Sequence, residues 1–229
     1  NNLQSTLTMS PPSIDEIKTL LEQSAYNPGI IPQLEAYVNE CAAGNAEYYF
    51  DASRALVKLY QFNPQLAKQE TVSRILLLSL LEFPSTDLLA LLHLVPDHLQ
   101  NSQPASLVIR CAELLDSCQF SDFWGVFETL AEDSNLSSLA TEATNKLRQA
   151  IINVLALSYR SAPIKVVTAA LNVSDASSIA KFGNVEGVDG NSVNFVASAD
   201  NTKRDRVFQE GVSFSAISNL LSKASVASQ

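Results

Sequence analysis

Apolar residues in this chain recur at three- and four-residue intervals, segment after segment, from residue 13 to residue 159. That period marks α-helices that each bury one face. The first segment opens at Ser13 and aligns Ile14, Ile17, Leu20 and Leu21. Asp15 and Glu16 stand where a helix N-terminus favours acids, and Tyr26-Asn27-Pro28-Gly29 ends it. A second helix carries Ile31, Leu34, Tyr37, Val38 and Cys41 and closes at Gly44. A third is expected from about residue 46, with Tyr48, Tyr49, Ala52, Leu56, Leu59 and Tyr60 in one stripe. It stops before Asn63-Pro64, because proline disfavours helix in the residue before it.

The same alternation of short amphipathic helix and proline or polar break continues over 71–83, 86–95, 106–118, 120–130 and 136–159. Segments 71–83 and 86–95 are apolar enough to be largely surrounded by other helices. Every stripe needs a neighbour and the links are short, so the expected architecture is an irregular right-handed stack of antiparallel helix pairs over residues 13–160. Residues 1–12 are polar and read as a flexible tail.

Beyond residue 160 the texture changes. A short helix at 164–171, with Val166, Val167 and Ala170 inward, is followed by Asn172-Val173-Ser174-Asp175. There Ser174 or Asp175 can cap a second helix at 176–182. Residues 192–197 alternate as a strand does, and 207–212 form a second candidate strand after a polar loop. Residues 214–223 return to helical spacing through Ile217, Leu220 and Leu221. Helix, turn, helix, two strands and a closing helix is the order of a winged helix, expected over 163–225. The fold class is therefore mainly α: an antiparallel helix stack followed by a small α+β winged-helix domain.

Charge narrows the function. Fifteen Lys and Arg against 24 Asp and Glu give a net charge of −9. Residues 1–159 carry eight basic and 18 acidic side chains, net −10, and residues 160–229 seven basic and six acidic, net +1. A field of that sign repels phosphate polymers over most of the surface. The basic triplet Lys203, Arg204 and Arg206 is interrupted by Asp205 and reads as a solvated wing with at most an auxiliary RNA contact. Three cysteines, an odd number, fit a reducing compartment rather than a disulfide framework. The stretch 74–99 is broken by Glu82, Pro84, Asp87 and Pro96, so it falls short of the roughly 20 apolar residues a bilayer requires. A cytosolic or nuclear protein is expected.

Candidate chemistry is sparse. Cys111 and Cys118 lie seven apart, without the paired spacing of a zinc grip, and share a stripe with Leu107, Leu114 and Leu115; both read as small buried hydrophobes. His93 is expected at or near the core and His98 in a solvated loop, so neither forms a Cys-His couple. No Gly-rich phosphate loop, Gly-x-Ser-x-Gly or His-Glu-x-x-His sequence occurs. No enzyme, cofactor or small-molecule substrate is expected. Apolar surplus near the C-terminus points instead to partner contact through Val193, Phe195, Phe214, Ile217, Leu220 and Leu221.

Two blocks carry a resemblance. Val57-Lys58-Leu59-Tyr60-Gln61-Phe62-Asn63-Pro64 follows Tyr26-Asn27-Pro28 and Leu34-Glu35-x-Tyr37-Val38. Leu114-Leu115-Asp116-Ser117-Cys118-Gln119-Phe120-x-x-Phe123-Trp124 forms the second block. In this order they resemble the subunit K family of eukaryotic translation initiation factor 3. The resemblance implies a HEAT-like helical domain followed by a winged helix, together PCI-like, and a non-catalytic scaffold role, with other initiation factor 3 subunits as partners, subunit L nearest, and the small ribosomal subunit reached through the complex. A PCI-like subunit of the proteasome lid or signalosome is the alternative within the class, which the Tyr60–Pro64 block disfavours. A weak RNA-binding winged helix is the alternative outside it.

Overall fold

The computed structural model describes residues 12–202 together with 214, 215, 217, 218 and 223. Helix α1 (Ile14–Ser24) is started by a capping box. The Glu16 N–H donates to Ser13 Oγ (3.3 Å), and the Ser13 N–H donates to the Glu16 carboxylate (2.8 Å), so two otherwise orphaned amides are satisfied. A 3₁₀ turn at Pro28–Ile30 leads into α2 (Ile31–Ala42), followed by α3 (Phe50–Phe62), α4 (Gln69–Leu80), α5 (Asp87–Leu92), α6 (Asp97–Gln100), α7 (Ala105–Asp116), α8 (Phe120–Ala131) and α9 (Ser137–Ser158).

Each helix packs on the next in a stack: α1 on α3, α3 and α4 on α2, α7 on α4, α8 on α7 and α9 on α8. The central member is α4, where nine of 12 residues are buried. Its buried Ser73 and Ser79 hydroxyls donate back to carbonyls of the same helix, at 3.0 Å for Ser73 to Gln69 and 2.9 Å for Ser79 to Leu76, so no polar group is stranded among leucines.

The chain then turns into β1 (Ser161–Pro163), α10 (Ile164–Leu171), a 3₁₀ helix (Ala176–Lys181), β2 (Val185–Asp189) and β3 (Ser192–Phe195). The strands form an antiparallel sheet in the order β1-β3-β2, with Ala162 opposite Val193 and Val188 opposite Val193 on the other side. A bulge between Val185 and Gly187 leaves Glu186 free to pair with Arg160. The whole is a mainly helical stack carrying a small winged-helix unit. One connected body of buried side chains runs from Ile17 in α1 to Phe195 in β3.

Several expectations change. α3 begins at Phe50, not near residue 46. The Glu47 carbonyl accepts from the Tyr37 hydroxyl (2.7 Å) and the Cys41 thiol (3.3 Å), which draws the approach out as extended chain, with Tyr49 at φ −128°. The second helix of the wing is a six-residue 3₁₀ helix, capped by Asp175, whose carboxylate accepts from the Ser177 N–H at 2.9 Å. Val166 is exposed because α10 turns only Val167, Ala170 and Leu171 inward. Strand β2 was hidden by Gly187, which interrupts the alternation. The expected strand at 207–212 lies outside the described residues.

Candidate interaction surfaces

The blocks that carry the resemblance turn out to be joints between helices. Tyr60 of α3 is buried, and its hydroxyl donates to Glu35 of α2 at 2.6 Å; Lys68 pairs with the same carboxylate. Burial, reinforced by that neighbouring carboxylate, raises the Tyr60 pKa, and burial does the same for Tyr37. In the second block, Cys118 adopts φ +56° and lets the Gln119 N–H reach back to the Leu114 carbonyl at 2.8 Å, which turns α7 into α8. Past that turn, Phe123, Trp124 and Phe127 form a ring cluster with centroids 5.0 to 5.8 Å apart.

Trp124 is also half of a clamp that fixes the wing on the stack. Its indole N–H donates to the buried Ala170 carbonyl at 2.8 Å. Arg148 of α9 donates through Nε to Leu171 O (2.9 Å) and through Nη2 to Asn172 O (3.0 Å), while its guanidinium carbon sits 5.4 Å from the centre of the Trp124 ring. The last carbonyls of α10 are thus capped by two helices of the stack rather than by water. Asn172 takes the left-handed conformation (φ 50°), and its side-chain amide reaches Glu128 of α8 at 3.0 Å.

The predicted partner residues divide. Val193 and Phe195 are fully buried, which corrects their assignment as partner-facing: the alternation of β3 points both into this chain's own core, where Ala162, Val188 and Val185 pair beside them. Phe214 is 84% exposed and Ile217 41% exposed. Leu220, Leu221, Lys203, Arg204 and Arg206 lie outside the described residues. Among the candidate chemical groups, Cys41 and Cys111 are buried, and burial pushes their thiols up to about 11 and about 12. Cys118 is exposed, contrary to expectation, because the helix ends before it. His93 is exposed at the end of α5, and His98 lies on the short α6, also exposed. No cluster of His, Cys, Asp or Glu able to hold a metal ion occurs among the described residues, and none of the described helices is long and apolar enough to cross a membrane.

What sequence reasoning missed is the clamp, together with an apolar groove between α5 and α7. Arg148 is the one signal that was legible: it is one of only eight basic residues before residue 160, set in the middle of a long helix.

The model of the CSN8/PSMD8/EIF3K family matches residues 66–206, more than half of the sequence. The chain belongs to the CSN8/PSMD8/EIF3K family. That span contains α4 to α10, the sheet and the Trp124–Arg148 clamp, so the family region is the part in which stack and wing are locked together. Among individual relatives, the Dictyostelium discoideum protein named eukaryotic translation initiation factor 3 subunit K is 28% identical over 169 residues, 74% of this chain and 66% of that protein. The Nematostella vectensis protein of the same name is 32% identical over 59% of this chain and 61% of its own length. The Homo sapiens one is 27% identical over 87% and 90%. The chain therefore spans just under two thirds of the first two relatives.

Proposed function

We propose that this chain is a non-catalytic scaffold subunit of the eukaryotic translation initiation factor 3 complex, working in the cytoplasm by protein-protein contact. Subunit L is its nearest neighbour in this reading, and the small ribosomal subunit is reached through the assembled complex. The observation that carries the proposal is the shared name of relatives that match 59–87% of this chain. A continuous core and buried, raised-pKa thiols supply packing rather than reactive groups, which supports the same reading. We divide the chain into a helical domain at 13–160 and a winged helix at 163–225, with the clamp between them.

The partner contact runs through the C-terminal helical segment, where Phe214 and Ile217 stand exposed and Leu220 and Leu221 continue the apolar spacing. Lys203, Arg204 and Arg206 add an auxiliary RNA contact at most. Co-expression with initiation factor 3 subunits, proteasome-lid subunits and signalosome subunits tests this directly. The wild type is expected to co-purify with the initiation factor set, and Phe214→Asp with Ile217→Asp to weaken capture at least tenfold. Capture by one of the other assemblies, or capture untouched by the double substitution, refutes it.

A further inference from the structure

We propose that the groove between α5 and α7 is a docking site for an amphipathic helix of a partner protein whose apolar face is flanked by lysine or arginine at one end. Helices α5 and α7 both pack on α4, but α5 is only six residues long and α6, which packs on α7, only four. A helix that short cannot cover a full flank of the 12-residue α7, and what it leaves open is a groove of about 290 Å³ floored by Ser79 and Leu80 of α4. Phe83, Leu88, Leu89 and Leu92 form one wall, and Ile109 and Ala112 form the other. Leu89 is 57% exposed within this wall and stands at the rim of the apolar lining.

Charge selects the occupant. Ile109, Ala112, Glu113 and Asp116 follow the three- and four-residue spacing along one face of α7, so the groove is apolar over one turn and acidic over the next. The negative end of the α7 dipole adds to that acidity. Glu113 is paired with Arg110, whereas Asp116 has no ion pair among the described residues, and no basic side chain among them lines the groove. An apolar stripe ending in an unneutralised carboxylate fits a helix with leucine-type anchors ending in a cation. A second copy of this chain, net −9, is a poor source of that cation. The chain's own C-terminal segment is basic in part, but Phe214 is exposed rather than seated in the groove. The inference stands apart from the assembly proposed above: the groove can bind its helix whichever complex the chain joins.

The test uses the full chain and a fluorescein-labelled 16-residue helical peptide with leucines at i, i+3 and i+7 and two lysines at one end, read by anisotropy at two salt concentrations. A second peptide replaces the lysines by glutamates. The lysine peptide is expected to saturate with a dissociation constant on the order of 10⁻⁵ M, and the glutamate peptide to bind at least tenfold more weakly. Leu89→Glu, at an exposed position that keeps the fold, should weaken the lysine peptide at least tenfold. Asp116→Lys, favoured by the helix dipole, should invert the preference between the peptides. No saturable binding, equal binding of the two peptides, or indifference to both substitutions overturns the proposal. So does a dimer that dissociates on Leu89→Glu, which makes the occupant a second copy. Binding that emerges only after residues 203–229 are removed overturns it too, since it makes the occupant the chain's own tail.

Discussion

Replacing Trp124 by phenylalanine removes one hydrogen-bond donor and half of an indole from the joint between stack and wing. The lost N–H leaves the buried Ala170 carbonyl unpaired, and an unsatisfied buried polar group costs about 1–3 kcal/mol. Loss of most of the contact between the Arg148 guanidinium and the ring removes about 0.5–1 kcal/mol more. The sum, about 1.5–4 kcal/mol, corresponds to a fall in Tm of roughly 3–16 °C for a chain of this size. Urea unfolding measures the total, and hydrogen exchange followed by mass spectrometry locates it: amides of α10 and β3 should lose protection first. Arg148→Met tests the other arm, and because both residues cap the same helix end, the double variant should lose less than the two single losses combined. A loss below about 1 kcal/mol for Trp124→Phe, or a loss that leaves protection in 164–171 unchanged, would refute the clamp.

Two tyrosines should respond differently. Tyr60→Phe takes the donor from the partly buried Glu35 and should destabilise by about 1–2 kcal/mol, whereas Tyr48→Phe deletes a buried hydroxyl with no partner among the described residues and should be neutral or stabilising; urea midpoints decide both. Ser13→Ala breaks the capping box and should cost about 1 kcal/mol, read as fraying of the first turn of α1 in amide exchange. At pH 8, iodoacetamide followed by peptide mass analysis should modify Cys118 alone in the native protein, with Cys41 and Cys111 modified only after denaturation. Raised pKa values keep Cys41, Cys111, Tyr37 and Tyr60 protonated in the fold while the unfolded chain ionises. The stability they contribute is therefore whole below about pH 9 and is lost as pH climbs through about 11 and 12 for the thiols and higher for the tyrosines; an unfolding midpoint flat from pH 9 to 12 would contradict it.

Spacing alone determined that residues 13–159 would become helices and where most would break. A helix records its buried face locally: Leu34, Tyr37, Val38 and Cys41 lie on one side of α2 whatever they come to touch, and Pro64 stops α3 without help from the rest of the fold. Composition likewise gave little material for His–Cys chemistry, with two histidines and three cysteines in the whole sequence. Only the tertiary structure decided which partner each face would find. Strand β1 is three residues that become a strand by pairing with β3, and Val193 and Phe195, which alternate as an edge strand would, become core because that pairing and α10 close over them. The groove beside Leu89 and the joint of Trp124 with Arg148 and Ala170 arise from residues up to 46 positions apart, and no local period encodes a meeting at that distance.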